Sequence, residues 1–317
     1  MPAPLISVLM PVRDGERYLG AALASLAQQS LGDFEVIVVD DGSVDGTAAM
    51  LAAAAARDPR LRIDRQAGQG VSAALNRALA VAQGRFLARL DADDIARPER
   101  FAAQAAYLET HPRVAAVGGG YEEIDQDDRP LRAVRPPTEP ARIRAILPRT
   151  NCIAHPTVMM RRDAILAVGG YRPAFDGAED YDLWLRLLER WDLANLPELL
   201  LGYRRHPHAA TLRRVRDSAF AELAARTAFE RRSRGLGELV EETRPVDRAL
   251  LLRMGVAGRD IDRHLLKRLM AAARVAARTG AGDQARRLVE EASALVMPRG
   301  DLWARIDFLW RRRKVWR

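Results

Sequence analysis

The chain is poor in the features that mark disulfide-bonded and membrane-spanning proteins. Its 317 residues include one cysteine, Cys152, so an internal disulfide is excluded and a reducing compartment is favoured. No stretch approaches the roughly 20 consecutive apolar residues that a membrane-spanning helix needs. The first residues enter an apolar segment without the basic region and cleavage site of a signal peptide. We therefore expect a cytoplasmic protein, either free or peripheral at the inner face of the cell membrane.

Two common nucleotide-binding signatures are also missing. No G-x-x-x-x-G-K-[ST] sequence occurs, which argues against ATP hydrolysis by a P-loop enzyme. No G-x-G-x-x-G follows the first predicted strand, where a nicotinamide-binding domain would carry it. What is present is a globular composition, with 48% hydrophobic and 29% charged residues, which predicts one large domain with an appendage.

The chain is strongly basic, with a net charge of +8 and an isoelectric point near 10.3. Such a charge suits nucleic acid, an anionic membrane or phosphorylated small molecules. The most basic segment is Arg311–Arg317, which follows the predicted helix Asp301–Trp310. Apolar residues share about one face of that helix: Leu302, Trp303, Ile306, Leu309 and Trp310. Two interpretations stay open for this tail, namely contact with an anionic membrane surface and packing against the rest of the protein.

Apolar strands alternate with helical segments in the first third of the chain. The predicted strands are Leu5–Pro11, Phe34–Val39, Leu61–Arg65 and Phe86–Leu90. The predicted helices between them are Tyr18–Gln28, Thr47–Ala56 and Val71–Ala82. This alternation predicts a mostly parallel sheet with right-handed crossovers.

Three polar clusters follow strands of this sheet: Pro11–Asp14, Asp40–Ser43 and Asp91–Asp94. Because ligands bind outside the carboxyl ends of parallel strands, the clusters are expected to define one site. The three carboxylates of the last cluster repel one another, and burial penalises each of them. A hard divalent cation that bridges to phosphate relieves both costs. The cluster therefore predicts a metal–diphosphate site.

The pattern changes after Pro98. A helix is predicted at Arg100–His111 and another at Tyr181–Arg190. Further strands are predicted at Val114–Val117, Tyr121–Ile124, Val158–Met160 and Leu199–Arg204. From about Leu212 only helical periodicity remains. We predict an α/β domain over residues 1–212 and a helical C-terminal region with a basic tail over residues 213–317.

Five motifs resemble, in this order, those of the inverting family 2 glycosyltransferases with a GT-A fold. They are Pro11–Leu19, Val38–Thr47, Leu90–Asp94, Glu179–Trp184 and Tyr203–His206. The resemblance covers roughly residues 5–210. It implies an α/β fold, with a mixed Rossmann-like sheet flanked by helices and an all-helical C-terminal appendage. It also implies sugar transfer from a nucleotide-diphosphate donor to a hydroxyl of a glycan or lipid-linked acceptor, in bacterial polysaccharide or lipopolysaccharide synthesis.

The resemblance implies a donor nucleotide site. Its residues would be Pro11, Val12, Arg13, Asp40, Asp41 and Asp91. Asp41 would accept a hydrogen bond from the nucleobase with Asp40 beside it, although one of the two also suits a turn or cap. Arg13 departs from the family, in which an aromatic residue commonly lies against the base. A guanidinium group can also stack on a base or reach a phosphate.

The acidic run contains the D-x-D motif of the family. The resemblance implies that Asp93 binds Mg²⁺ or Mn²⁺ and that Asp91 contacts the donor ribose or the metal, while Asp94 suits a structural cap. His206 is either a third metal ligand or diphosphate contact, or a bystander. The metal would neutralise the leaving nucleoside diphosphate.

The acidic residues at the start of the predicted helix Tyr181–Arg190 are the candidates for acceptor chemistry. The resemblance makes Asp180 the general base that deprotonates the acceptor hydroxyl, and Glu179 a residue that orients the acceptor. The alternative is that these carboxylates only favour a helix N-terminus. His155 either lines the acceptor pocket or is a hydrogen-bonded structural histidine. Asp45 is expected to cap the helix at Thr47.

Two other functions were compared with a transferase. A sugar-nucleotide pyrophosphorylase shares the architecture, but it needs a glycine-rich basic loop that Pro11–Asp14 lacks. A basic nucleic-acid-binding protein explains the isoelectric point but not the acidic clusters, because carboxylates repel phosphate. We therefore expect a nucleotide-diphosphate sugar as partner and no nucleic acid.

Overall fold

The computed structural model describes residues 3–241 and 245–296. The predicted tail, Asp301–Trp310 with Arg311–Arg317, lies outside these described residues. The chain divides into two compact units. The first comprises Met1–Pro173 and Glu179–Arg204, and the second comprises Ala174–Ala178 and Arg205–Arg317. The last of these junctions follows Arg204, and the predicted division after residue 212 stays a prediction.

The first unit begins with the predicted alternation of strands and helices. The strands are β1 (Ile6–Val12), β2 (Phe34–Asp40), β3 (Leu61–Arg65) and β4 (Phe86–Arg89). The helices between them are α1 (Leu19–Ala27), α2 (Thr47–Ala55) and α3 (Val71–Val81). All positions of β2 are buried, as expected of a parallel strand that is covered on both faces.

The remainder of this unit is less regular. Its strands are β5 (Ile95–Ala96), β6 (Val114–Ile124), β7 (Pro130–Val134), β8 (Met159–Arg161) and β9 (Asp192–Arg204). Its helices are α4 (Arg100–Thr110), α5 (Pro140–Ile146), α6 (Arg162–Ala167) and α7 (Glu179–Leu187). The sequence pattern did not indicate β5, α5 or α6, which are short and carry little periodic signal.

The described strands form a mixed sheet in the order β3-β2-β1-β4-β8-β6-β9-β5, with β7 paired to β6. The first four strands are parallel, as predicted. Strand β8 is antiparallel to both of its neighbours, and β5 and β7 are also antiparallel to theirs. The carboxyl ends of β1, β2 and β4 consequently lie along one rim.

One strand replaces two predicted ones at Gly118–Gly120. Strand β6 joins the predicted strands Val114–Val117 and Tyr121–Ile124 through these glycines, and it pairs in parallel with β9. A Cβ on Gly118 would lie 2.4 Å from Asn195 Oδ1, and one on Gly119 would lie 2.4 Å from Leu200 Cδ1. The glycines therefore permit the close approach of β9 side chains and do not form a turn.

The described part of the second unit is helical, as predicted. It contains α8 (Ala210–Arg213), α9 (Val215–Ser233), α10 (Arg248–Arg253), α11 (Gly258–Arg278) and α12 (Gly282–Val296). Helix α11 buries one apolar face through Ile261, Leu265, Leu269, Ala273 and Ala276. None of the helices in residues 3–241 and 245–296 combines the length and the apolarity that a bilayer crossing needs.

Candidate active site

The loops that follow β1 and β2 are hydrogen-bonded to each other. The backbone N–H of Asp14 donates to Ser43 Oγ at 2.9 Å, and the N–H of Val44 donates to Asp14 Oδ1 at 2.9 Å. Asp14 has a φ of +52°, in the left-handed region that aspartate tolerates better than most residues. These bonds bring two of the three predicted polar clusters together at the rim.

Asp41 organises the loop between β3 and α3. Its buried carboxylate accepts hydrogen bonds from Gln66 Nε2 at 2.7 Å, from the N–H of Gln69 at 2.7 Å and from the N–H of Gly70 at 3.1 Å. Because a carboxylate offers about four acceptor positions, these bonds leave about one for a ligand. The contact of Asp41 with a nucleobase stays a prediction. The structure shows in addition that Asp41 holds the Gln66–Gly70 loop through these hydrogen bonds.

Asp40 and Asp45 have local structural partners. Asp40 accepts the N–H of Ser43 at 2.8 Å and lies 3.4 Å from Arg65, so it is the aspartate of the pair that stabilises the turn. Asp45 accepts the N–H of Thr47 at 3.0 Å. The N-cap of α2 is Gly46, without a side-chain capping bond, so the expected cap at Asp45 is wrong by one residue.

The predicted donor residues on and after β1 lie next to Asp41 and its loop through Val12 and Arg13. Pro11 and Val12 belong to β1, and the carbonyl of Val12 accepts the N–H of Asp41 at 2.8 Å. The Arg13 side chain is 57% exposed. A Cβ on Gly68 would lie 3.3 Å from Arg13 Nη1, so the guanidinium lies beside the glycine-containing loop. It is accessible to a planar or anionic ligand at this position.

The acidic turn after β4 brings three carboxylates together. Ligand oxygens of Asp91, Asp93 and Asp94 lie within 4.8 Å of one another. Asp94 Oδ1 accepts the N–H of Arg204 at 2.8 Å, while Oδ2 is buried without a hydrogen-bond partner among the described residues. Hard oxygen ligands at this spacing fit Mg²⁺ or Mn²⁺. The bond to Arg204 connects Asp94 to the end of β9, while the helix cap predicted for Asp94 is not formed, because the N-cap of α4 is Glu99.

Three buried arginines surround this turn, and none was singled out from the sequence. Arg89 Nη1 lies 2.6 Å from Asp91 Oδ1. Arg100 Nη2 donates to the carbonyl of Arg89 at 2.7 Å. Arg204 Nε donates to the carbonyl of Asp93 at 2.7 Å. The guanidinium of Arg204 also lies over the ring of Tyr18 and pairs with Asp128 at 2.6 Å.

Burial dominates the acid–base properties of the turn. It raises the pKa of Asp91, with Arg89 acting in the opposite direction. It raises the pKa of Asp94 well above the usual value, and the neighbouring Asp93 and Asp91 add to this shift. Burial also lowers the pKa of Arg100 to about 9, against the opposing charge of Asp94. Burial therefore disfavours the charged forms of these groups, and the opposite charges of Arg89 and Asp94 offset part of that cost for Asp91 and Arg100 respectively.

The predicted acceptor-side residues lie at the start of α7. Asp180 Oδ2 accepts a hydrogen bond from Asn151 Nδ2 at 2.9 Å. The Glu179 carboxylate lies 3.7 Å from His155 Nδ1, and His155 Nε2 lies 3.0 Å from the hydroxyl of Tyr171. His155 therefore lies between a carboxylate and a phenol and is a hydrogen-bonded histidine, and its place in an acceptor pocket stays a prediction.

Asp182 has a different environment from Asp180, although both belong to the first turn of α7. Its side chain is 1% exposed and pairs with both Arg172 and Arg186. Arg186 in turn donates to the carbonyls of Val168 and Gly170. Asp182 is consequently a structural residue of this motif.

His206 belongs to the second unit and is buried, two positions beyond the end of β9. Its role as a metal ligand or diphosphate contact stays a prediction.

The sequence profile of Glycosyl transferase family 2 matches residues 7–169, more than half of the 317 residues. The chain belongs to the family 2 glycosyltransferases. The match includes the β1 loop, the Asp40–Asp41 pair and the acidic turn, and it confirms the resemblance drawn from the motifs.

Curated relatives of this glycosyltransferase include two bacterial enzymes named for polysaccharide biosynthesis. It is 36% identical to the O-antigen biosynthesis glycosyltransferase WbnJ of Escherichia coli over 209 residues, which cover 64% of this chain and 80% of WbnJ. It is 33% identical to the amylovoran biosynthesis glycosyltransferase AmsE of Erwinia amylovora over 204 residues, which cover 63% of this chain and 76% of AmsE.

Solved structures confirm the GT-A fold. The structure of Staphylococcus aureus TarS with UDP-GlcNAc has a TM-score of 0.54 at 18% identity, covering 98% of this chain and 90% of that one. The mannosyltransferase PcManGT of Pyrobaculum calidifontis with GDP-Man and Mn²⁺ has a TM-score of 0.55 at 17% identity. That match covers 98% of this chain and 87% of PcManGT.

The environment of His155 in this glycosyltransferase predicts an effect of pH on stability. Burial, aided by the charge of Arg89, lowers the pKa of His155 despite the opposing Glu179. The unfolded chain takes up a proton near pH 6.5, whereas the folded chain does so only at lower pH. The stability that neutral His155 provides is therefore present above pH 6.5 and lost as the pH falls through the folded pKa.

We expect His155→Gln to show a smaller loss of stability on acidification than the unsubstituted protein. Urea denaturation across this pH range measures the difference, and His111→Gln, at an exposed position, is the matched control. An unchanged pH dependence in His155→Gln would show that His155 does not carry this effect.

Proposed function

We propose that this glycosyltransferase moves a sugar, with inversion, from a nucleotide-diphosphate donor to a hydroxyl of a glycan or lipid-linked acceptor. Its setting would be the synthesis of a bacterial surface polysaccharide such as O-antigen or exopolysaccharide. The names of the relatives support this setting, and the ligands of the structural neighbours support a nucleotide-sugar donor. Residues 1–212 would form the catalytic region, with residues 213–317 as its helical appendage.

One observation carries the proposal most directly. Arg89 pairs with Asp91 on the predicted donor side, and it also interacts electrostatically with Glu179 on the predicted acceptor side. Burial acts to lower the pKa of Arg89, but the charge of Asp91, with contributions from Tyr171 and Glu179, outweighs it and the pKa is raised. Carboxylates from both predicted half-sites thus influence the pKa of one buried guanidinium, which supports placing the two half-sites in one centre.

The donor would lie on the rim formed by the loops after β1, β2 and β3. Asp41 would use its remaining acceptor position for the nucleobase, while Arg13 would stack on the base or contact the diphosphate. Asp93, with Asp91 beside it, would hold Mg²⁺ or Mn²⁺, and His206 is a further candidate ligand. A cation bound there supplies positive charge that stabilises the departing nucleoside diphosphate.

The acceptor would lie against the start of α7. Asp180 would accept the proton of the attacking hydroxyl, and Asn151 would hold the Asp180 carboxylate in place through their hydrogen bond. Glu179, held by His155, would orient the acceptor. One base is enough for a single displacement at the anomeric carbon, which is why we propose inversion.

The donor site can be tested without knowledge of the acceptor. We expect at least one of UDP, GDP, CDP and TDP to raise the melting temperature, and to raise it further with Mn²⁺ present. A ligand at 100 times its Kd stabilises a protein by about 2.7 kcal/mol. Differential scanning fluorimetry of the full chain measures this shift.

Asp93→Asn is expected to remove the Mn²⁺-dependent part of the stabilisation. Asp64→Asn is the matched control, because Asp64 lies on β3 and pairs with Arg77. Absence of any Mn²⁺-dependent shift with all four nucleotides would count against a metal-dependent transferase. Once a nucleotide is found, a screen of its sugar conjugates identifies the donor.

A further inference from the structure

Arg89 places a buried positive charge next to one carboxylate of the acidic turn. Its side chain is 4% exposed, whereas that of Asp91 is 33% exposed. The 2.6 Å contact between Arg89 Nη1 and Asp91 Oδ1 is a close ion pair. Because Arg89 lies on the buried strand β4, its charge is fixed in position and only weakly screened by solvent.

A second buried arginine also offsets the negative charge of the acidic turn. Arg100 is fully buried behind the turn, and its charge interacts with Asp94. Arg204 offsets less of the negative charge of the acidic turn, because its guanidinium pairs with Asp128. The turn therefore presents an incoming cation with less net negative charge than three carboxylates suggest.

We propose that Arg89 is a positioning residue that makes cation binding depend on the nucleotide. By pairing with Asp91 it weakens binding of the bare cation, and the diphosphate then supplies the missing oxygen ligands and negative charge. Mg²⁺ commonly binds in this way, through one or two carboxylates together with substrate phosphates. This inference rests on the proposed donor site.

Mn²⁺ binding to the full chain tests the role of Arg89 through the electron paramagnetic resonance signal of free Mn²⁺. Titrations are made with Mn²⁺ alone and with Mn²⁺ plus UDP or GDP. We expect Arg89→Met to bind Mn²⁺ alone roughly tenfold more tightly than the unsubstituted protein, since one nearby positive charge is removed. The gain in affinity that the nucleotide confers is expected to shrink correspondingly.

Three further variants separate the effect of the Arg89 charge on Mn²⁺ binding from an effect of the substitution on folding. Arg89→Lys keeps the charge and is expected to restore the nucleotide dependence, which a purely packing role would not explain. Arg89→Gln is a second neutral variant that keeps a donor toward Asp91, and it replaces Arg89→Met if that variant does not fold. Arg77→Met removes a surface charge paired with Asp64 and is expected to leave Mn²⁺ binding unchanged.

The outcomes distinguish this inference from the proposed function. If Mn²⁺ binds with a nucleotide but the neutral Arg89 variants bind Mn²⁺ alone no more tightly than the unsubstituted protein, the inference on Arg89 is wrong and the donor site stands. If the unsubstituted protein binds no Mn²⁺ with either nucleotide, the proposed metal site fails and this inference fails with it.

Discussion

Asp180→Asn is expected to lower the rate of glycosyl transfer by about 10²–10⁴-fold, the usual contribution of a general base. Donor binding is expected to be retained, because the proposed donor contacts lie on the loops after β1, β2 and β3 and in the acidic turn after β4, and none of them is on α7. The amide is nearly isosteric with the carboxylate and still offers an oxygen to Asn151 Nδ2, so the local geometry is preserved. The change therefore removes the proton acceptor and little else.

The matched control for this experiment is Asp163→Asn. Asp163 lies in the first turn of α6 and is exposed, so it offers a carboxylate at a helix N-terminus and is not one of the proposed site residues. Transfer is measured with the donor found by the nucleotide screen, and donor affinity is measured by the melting-temperature shift. If Asp180→Asn turns over as fast as Asp163→Asn, the carboxylate only stabilises its helix and the assignment of the base is wrong.

Much of the fold could be predicted from the sequence, because its first half follows simple periodicity. The strands at Phe34–Asp40 and Leu61–Arg65 and the helices between strands are long enough to show their pattern, and their observed ends differ from prediction by at most two residues. The single strand through the glycines at 118–120 was predicted as two strands, because local propensity cannot show that β9 side chains approach there. That contact joins residues distant in sequence.

The acidic residues of the site were visible from the sequence, whereas their arginine partners were not. Clustered aspartates after a buried strand are unusual, so the sequence pattern alone indicates a functional site there. Arg89, Arg100 and Arg204 are three among 50 lysines and arginines, and sequence alone cannot show which of these are buried. The bond from Arg204 to Asp94 spans 110 positions and depends on the pairing of β9 within the sheet. Only the three-dimensional arrangement shows how the turn is compensated.

The same limit applies within the Glu179–Trp184 motif. Asp180 and Asp182 are two positions apart in the first turn of one helix. Their positions in the sequence do not show which of the two is catalytic and which is structural. In the structure Asp180 is half-buried and bonded to Asn151, whereas Asp182 is buried between Arg172 and Arg186. We therefore expect substitution of Asp180 to affect activity and substitution of Asp182 to affect stability.

Asp182→Ala is expected to destabilise the protein by about 3–5 kcal/mol, because removal of one partner leaves buried guanidinium groups without compensation. Asp182 holds Arg172 and Arg186 together, and Arg186 fixes the carbonyls of Val168 and Gly170. Loss of the carboxylate therefore loosens the segment before α7 as well as the helix itself. Urea denaturation followed by circular dichroism measures the loss.

Asp180→Asn supplies the internal comparison, since its own effect on stability is expected to be within about 0.5 kcal/mol, as for most accessible substitutions. Asp182→Asn tests whether charge is the cause, because it keeps the shape but removes the negative charge that the two guanidinium groups share. If Asp182→Asn is as stable as Asp180→Asn, the pairs with Arg172 and Arg186 do not hold α7 in place. If Asp182→Asn instead unfolds at a much lower urea concentration, Asp182 stabilises the N-terminus of α7, the turn of helix that positions Asp180.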